Sequence, residues 1–190
     1  MKTIENELKM LLTAAEYDIL MEAYASGGTT EKHINYYYDT PSLEGNTAGI
    51  TYRIREKNGI FTATEKTHGV DAKTRSIEKS ESARSRDDIS CFGRSDLMYQ
   101  GYFETERCTV QAAEQVKLCI DKNRYCHITD YELELEYTEG AAEMAEATFR
   151  RIVEILRAHG KPITLTALLL RVDMTTSKSQ RFFARLRRSE

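Results

Sequence analysis

The sequence is poor in residues that interrupt secondary structure or cross-link the chain. Its 190 residues include two prolines, no tryptophan and four cysteines, none of them in a Cys-x-x-Cys pair. This pattern argues against a structural zinc site and a disulfide framework, and it is typical of thiols in a reducing compartment. No Pro/Gly/Ser-rich linker interrupts the chain, so we predict a single domain spanning residues 1–190.

Long apolar runs and a strong excess of one charge are also missing. The longest apolar stretch, Ile163–Val172, contains two threonines and Arg171 and is too short to cross a bilayer. The first ten residues lack the apolar segment of a secretory signal. A net charge of −3 argues against a bulk nucleic-acid binder. We therefore expect a cytoplasmic protein with no membrane or nucleic-acid partner, and the oligomeric state stays open, with a homodimer as one option.

Polar–apolar alternation with a period of two residues predicts most of the chain to be β-structure. Nine segments show this pattern, and the weakest of them is Thr164–Asp173. The segment Lys79–Asp88 is predicted to be a surface loop. Helices are predicted from Thr13, from Glu139 to His159 and from Ser177, with capping boxes at Thr13 and Ser177. These elements indicate an α+β fold with a large antiparallel sheet. The eight stronger strand segments are Thr3–Met10, Ile34–Asp39, Ile50–Lys57, Ile60–Lys66, Arg75–Ser80, Phe103–Cys108, Lys117–Lys122 and Tyr131–Tyr137.

The alternating strands segregate charge by sign. Glu132, Glu134 and Glu136 share one face of a strand, and Arg53 and Arg55 share one face of another. Like charges at i and i+2 lie about 7 Å apart on that face, and glutamate is depleted in strands. A half-exposed sheet with solvated charges is the simpler interpretation. Single-sign runs fit better with strands that face one another across a polar interior, in a closed eight-stranded barrel with helices packed outside.

The predicted interior combines carboxylates with basic side chains. Hard divalent cations bind carboxylate oxygens, and arginine and lysine bind phosphate. The combination therefore suggests a metal–polyphosphate site, whose charge is nearly balanced before a ligand binds. The candidate acids are Glu5, Glu7, Asp121, Glu132, Glu134 and Glu136, and the candidate bases are Lys9, Arg53, Arg55, Lys66, Arg107 and Lys178.

A series of motifs resembles the CYTH superfamily, the triphosphate tunnel metalloenzymes. Glu5-x-Glu7-x-Lys9 resembles the ExExK signature of this family, which by itself is a weak signal. The following motifs resemble the family in the same order and spacing over most of the chain, most closely in a bacterial stand-alone subgroup. They are Asn35–Pro41, Tyr52–Lys57, Thr62–Lys66, Cys119–Lys122, Asp130–Glu136 and Ser177–Phe183.

The resemblance implies an eight-stranded antiparallel tunnel that binds a triphosphate with Mg²⁺ or Mn²⁺. It implies either hydrolysis of tripolyphosphate, thiamine triphosphate or a nucleoside triphosphate, or cyclisation of ATP by a class IV adenylyl cyclase. Glu5, Glu7 and Lys66 are the implied catalytic residues. The implied metal ligands are Glu5, Glu7, Asp121, Glu132 and Glu134, and the implied phosphate ligands are Lys9, Arg53, Arg55, Lys66, Arg107 and Lys178.

Several points stay open at this level. A non-catalytic polyphosphate or nucleotide sensor is a third function, although the full set of acids disfavours it. Glu136 competes as a metal ligand, and Glu78 and Glu81 compete for one further acidic position. The segment Ile163–Thr176 either extends a strand or forms an oligomer contact. We expect solvated or capping roles for the histidines and a solvated helix face for Arg181–Arg188.

Overall fold

The computed structural model describes residues 2–68 and 75–188. These residues form an α+β fold with an eight-stranded antiparallel sheet, as predicted, together with five α-helices and two short 3-10 turns, Ala25–Gly27 and Ile89–Phe92. The strands are β1 Lys2–Leu12, β2 Thr29–Asp39, β3 Ile50–Lys57, β4 Ile60–His68, β5 Arg75–Ala83, β6 Met98–Ala113, β7 Val116–Tyr125 and β8 Ile128–Tyr137. The helices are α1 Ala14–Tyr24, α2 Glu44–Thr47, α3 Ala142–Ala158, α4 Leu165–Met174 and α5 Lys178–Leu186.

Every neighbouring pair of strands is antiparallel, in the order β1-β5-β4-β3-β2-β6-β7-β8. β1 lies at both ends of this order. Its first residues pair with β5, from Lys2 opposite Lys79 to Asn6 opposite Arg75. Its later residues pair with β8, as in Lys9 opposite Glu134. These two pairings join the ends of the strand order into a ring, so alternate side chains point into a shared interior.

The outward face of the sheet is apolar and is covered by other elements. Helices α1, α3 and α4 pack over β1 and β6–β8, where Leu118 and Leu133 contact a core that includes Phe149 and Ile152 of α3. The turn Ile89–Phe92 covers β2, β3 and β4 on the other side, around Tyr36 and the fully buried Ile54. The polar residues of the same strands therefore face the interior.

Helix α5 closes one end of the barrel with aromatic side chains. Its capping box is formed by Ser177 and Gln180, as predicted. Phe182 lies 4.9 Å from Tyr37 of β2 between ring centroids. Gly101 of β6 has a φ of +140°, and an added Cβ there would lie 2.7 Å from Phe182 Cζ. A glycine is therefore required where this helix packs against the strand.

Two predicted elements are wrong. Thr164–Asp173 is helix α4 rather than a strand: Thr164 caps it by accepting a hydrogen bond from the Ala167 amide, 3.1 Å away. A short apolar run fits both periods, and packing of Leu165, Leu168 and Val172 against the core selects the helix. The predicted loop Lys79–Asp88 begins too early, because β5 continues to Ala83.

Within the described part of the chain, no helix combines the length and apolarity needed to cross a membrane.

Candidate active site

The inward side chains of the strands and the first residues of α5 line a polar cavity. Arg53, Arg55, Lys66, Arg107 and Lys178, all predicted from the sequence as phosphate ligands, border it. Alternation along each strand places these residues inward, because side chains at i and i+2 share a face. The other residues that line the cavity are Glu7, Lys9, His33, Tyr37, Thr51, Glu78, Glu134, Glu136, Ser177 and Ser179.

Three carboxylates, those of Asp121, Glu132 and Glu134, converge on one side of this interior. One oxygen of each lies within 4.8 Å of the others, and all three residues are buried. Lys178 Nζ is 2.9 Å from Asp121 Oδ2 and 2.7 Å from Glu134 Oε1, and it also contacts Glu132. A single ammonium group therefore lies where one cation can bind all three carboxylates.

Arg107 adds a second cation to the carboxylate cluster. Its Nη2 is 2.7 Å from Asp121 Oδ2 and also contacts Glu134. Burial alone would raise the pKa of Glu134, but the charges of Lys178 and Arg107 hold it well below its usual value. Burial would lower the pKa of Lys178, and the three carboxylates raise it instead. Glu134 and Lys178 are therefore held in their charged forms.

A second charged group connects β1, β3, β4 and β5. Glu7 contacts Lys9, and Lys66 Nζ lies 2.8 Å from Glu78 and 3.9 Å from Glu7. Burial would raise the pKa of Glu78, but Arg53 and Lys66 lower it to about 2. Glu78, rather than the exposed Glu81, is therefore the further acid of the interior.

Neutral polar groups of β2 accompany the arginines of β3. Arg55 Nε donates to Asn35 Oδ1 at 2.9 Å. Burial, followed by the charges of Arg53 and Arg107, lowers the pKa of Arg55 to about 10. His33 is buried and lines the cavity, so the expectation of a solvated or capping role is wrong for this histidine.

Comparison with known proteins identifies the family to which the chain belongs. The model of the CYTH domain matches residues 3–162. The chain belongs to the CYTH domain family. No curated protein matches it. Two solved structures resemble this CYTH domain over nearly the whole of both chains.

The first is a candidate adenylate cyclase from Bacillus halodurans, at 25% identity, a TM-score of 0.66 and coverage of 96% of this chain and 98% of that chain. The second is a candidate adenylyl cyclase from Hippeastrum with a dominant triphosphatase activity. It has 19% identity and a TM-score of 0.68, with 97% and 96% coverage. The mimivirus capping enzyme triphosphatase is more distant, at 13% identity and a TM-score of 0.54, with 81% and 89% coverage. The last two likenesses show a shared fold.

One acid predicted as a metal ligand of this CYTH domain, Glu7, lies apart from the three converging carboxylates. Glu7 belongs to the group around Lys66. Glu5 is part of β1, but its side chain lies outside the described residues. Glu136 contacts Arg107 at 3.1 Å and is partly exposed. The structure thus places Asp121, Glu132 and Glu134 together, without bringing Glu7 or Glu136 into the cluster.

One buried residue of the CYTH domain was assigned to the surface by the sequence analysis. Arg181 is 3.1 Å from Asp130 and 2.9 Å from Glu132, with its side chain 8% exposed. A solvated face is therefore wrong for this residue. The available signal was spacing, because Arg181 follows Lys178 by three residues and shares its helix face.

The three-carboxylate cluster fits a divalent cation. Its donors are all carboxylate oxygens, the ligands that Mg²⁺ and Mn²⁺ prefer. The Lys178 ammonium already contacts each of these carboxylates. A divalent cation at the same place would have to displace this ammonium.

Proposed function

We propose that this protein hydrolyses a triphosphate-bearing substrate in the barrel interior with the help of Mg²⁺ or Mn²⁺. The observation that carries the proposal is a buried cluster of three carboxylates beside a cavity lined by arginines and lysines. Carboxylates suit the metal and the basic groups suit phosphates. The dominant triphosphatase activity of the Hippeastrum relative supports the same reaction.

The metal would be held by Asp121, Glu132 and Glu134, with Glu5 and Glu7 as the further ligands implied by the family motif. When bound, a divalent cation neutralises phosphate charge and lowers the pKa of a coordinated water. With a metal on these carboxylates, Lys178 and Arg107 would be available as cations for the substrate. This exchange keeps the interior near neutrality as an anion enters.

The remaining chemistry belongs to the basic side chains. The guanidinium groups of Arg53 and Arg55 present paired donors that suit phosphate oxygens. Lys66 of β4 and Lys9 of β1 add point charges. Together they hold the phosphate chain in line for attack and stabilise the charge of the transition state. The oxygen of water bonds to the terminal phosphorus and loses a proton to solvent. The bond to the bridging oxygen breaks, and orthophosphate and the shortened phosphate chain, which keeps the bridging oxygen and its electron pair, are released.

A class IV adenylyl cyclase is the second candidate function. The Bacillus halodurans structure, at 25% identity over nearly the whole chain, is a candidate adenylate cyclase. The same arginines and carboxylates would bind the triphosphate of ATP in that reaction. The products separate the two functions, because a cyclase releases pyrophosphate and cyclic AMP.

The test measures phosphate release from tripolyphosphate, ATP and thiamine triphosphate with Mg²⁺, Mn²⁺ or EDTA. We expect metal-dependent release that Glu134→Gln reduces at least about 100-fold, the scale of losing one group that stabilises transition-state charge. Glu106→Gln is the matched control, because Glu106 pairs with Arg124, 2.7 Å away, and does not line the cavity. Cyclic AMP formed from ATP would favour the cyclase. Binding without turnover would favour a sensor and contradict both enzymes.

A further inference from the structure

One side of the cavity is rich in donors and poor in acids. It is formed by His33 on β2 and Arg53 and Arg55 on β3, which line the cavity, together with the fully buried Asn35 on β2, which is hydrogen-bonded to Arg55, and we name these four residues the basic wall. Among the described residues, its one contact with an acid is that of Arg53 with Glu78. Arg53 Nη2 lies 3.4 Å from both oxygens of the Glu78 carboxylate. Arg55 donates its Nε hydrogen to the neutral amide oxygen of Asn35.

Two buried donors of this wall have no acceptor within the described part of the chain. Asn35 is 0% exposed, and its Nδ2 lacks a hydrogen-bond partner while Oδ1 accepts from Arg55. Arg53 Nε is also buried without a partner. Buried donors are almost always satisfied, so such atoms require an explanation. A ligand that supplies several acceptor oxygens would satisfy both.

His33 stands beside these donors and faces positive charge from several elements. It is 6% exposed. Arg53 and Arg55 act on it from β3, Arg107 from β6 and Lys178 from α5. Its cross-strand neighbours are Lys57 and Thr105, and Lys57 is paired with Glu31 at 2.5 Å. Burial, followed by Arg55, Arg107, Lys178 and Arg53, lowers the pKa of His33 to about 2.

We propose that His33, Asn35, Arg53 and Arg55 form an anion subsite that works without the divalent cation, and that His33 takes up a proton when a triphosphate binds there. The anion class rests on the proposed function. A bound triphosphate offsets the nearby cations, so protonating the imidazole no longer adds charge to an uncompensated cluster. The proton comes from solvent, and the imidazolium then donates to a phosphate oxygen.

The test is calorimetric titration with tripolyphosphate in EDTA at pH 6, in buffers of different ionisation enthalpy. Such a series gives the number of protons taken up per bound anion. The ligand changes its own protonation equally with each protein, so the difference between proteins isolates His33. We expect the wild type to take up about 0.5 to 1 proton more than His33→Gln, since a pKa that crosses the working pH shifts up to one proton. Equal uptake would overturn the role of His33.

A second measurement keeps the proposal testable if His33→Gln does not fold. The imidazole C2 proton signal of His33 in the wild type, identified by elimination with His68→Gln, His127→Gln and His159→Gln, should move to its protonated position when tripolyphosphate is added at pH 6. A signal that stays at its neutral position would overturn the proton uptake.

Asn35→Ala tests the unpartnered donor directly. We expect it to weaken tripolyphosphate binding in EDTA about tenfold, the scale of one lost hydrogen bond to a charged group. Unchanged affinity would remove Asn35 from the subsite. Binding that requires Mg²⁺ would overturn the metal-independent subsite and leave the proposed function intact. Absence of binding with and without Mg²⁺ would overturn both.

Discussion

The two sides of the barrel interior handle buried charge in opposite ways. On the acidic wall, formed by Asp121, Glu132 and Glu134, each carboxylate has a cation within hydrogen-bonding distance. On the basic wall, Arg55 donates to an amide, and Asn35 and Arg53 retain donors with no partner among the described residues. The carboxylates of the acidic wall are neutralised by cations of the protein itself. The unpartnered donors of the basic wall need an anion that binds from solution.

This difference predicts opposite responses to the same kind of substitution. Removing one partner of a buried ion cluster leaves uncompensated charge and is strongly destabilising. Removing a cation from a region that already repels cations relieves part of that repulsion. Ligands should change the relative size of these two effects. A metal ion should offset the loss of a cation from the acidic wall, and a triphosphate should stabilise the intact basic wall more than one that has lost a cation.

The largest effect is expected for Lys178→Met, which breaks the acidic wall. It leaves three buried carboxylates without the ammonium group that contacts all of them. We expect the free energy of unfolding in EDTA to fall by about 3 to 5 kcal/mol. Mg²⁺ should restore most of this loss by binding the same carboxylates. Urea unfolding with and without Mg²⁺ measures it, with the exposed Lys79→Met as control. If Mg²⁺ left the loss of unfolding free energy unchanged, the result would contradict the proposed difference between the two walls.

His33→Gln should produce the next largest effect, and only at acidic pH. Burial and the cations around it lower the pKa of His33 from 6.5 to about 2. Between these values the unfolded chain binds a proton that the folded protein does not, so the wild type loses stability as the pH falls below 6.5. The loss reaches about 2 kcal/mol at pH 5. Urea unfolding from pH 8 to pH 5 in EDTA should show a flatter decline for the variant, and parallel curves would count against a neutral His33.

The position of most charged residues in these walls follows from the sequence. Alternation with a period of two assigns Arg53, Arg55 and Lys66 to the interior, and the same rule places Glu132 and Glu134 there. The rule succeeds because the outer face of each strand is covered by apolar contacts, which fixes the register. Such residues can be located without any knowledge of the tertiary structure.

Other features depend on contacts between distant parts of the chain. The first half of β2 is the polar run Thr29–His33, which carries no strand signal but pairs with β6, as in Thr29 opposite Thr109. The position of His33 therefore could not be predicted. Arg181 is buried only because α5 docks beside Asp130 and Glu132. Its residue type alone suggests a solvated surface.

A substitution outside both walls, Thr13→Ala, should have a smaller effect on stability and provides a reference for these comparisons. Thr13 Oγ1 accepts a hydrogen bond from the Glu16 amide at 3.2 Å, and the Glu16 carboxylate accepts one from the Thr13 amide at 2.8 Å. Thr13→Ala should lower the free energy of unfolding by about 1 kcal/mol, as for other lost helix caps. The value should be the same in EDTA, Mg²⁺ and tripolyphosphate. Any dependence on these ligands would mean that α1 is coupled to the interior.

The smallest effect on stability is expected for Arg55→Met, which sharpens the comparison with Lys178→Met. Arg55 is a partly buried cation whose pKa is lowered to about 10 by burial and by Arg53 and Arg107. Losing it removes repulsion but leaves the Asn35 oxygen without its donor. These contributions oppose each other, so the free energy of unfolding in EDTA should change by less than about 1 kcal/mol. Tripolyphosphate should stabilise this variant less than the wild type. A loss as large as that of Lys178→Met would show that both walls are neutralised alike.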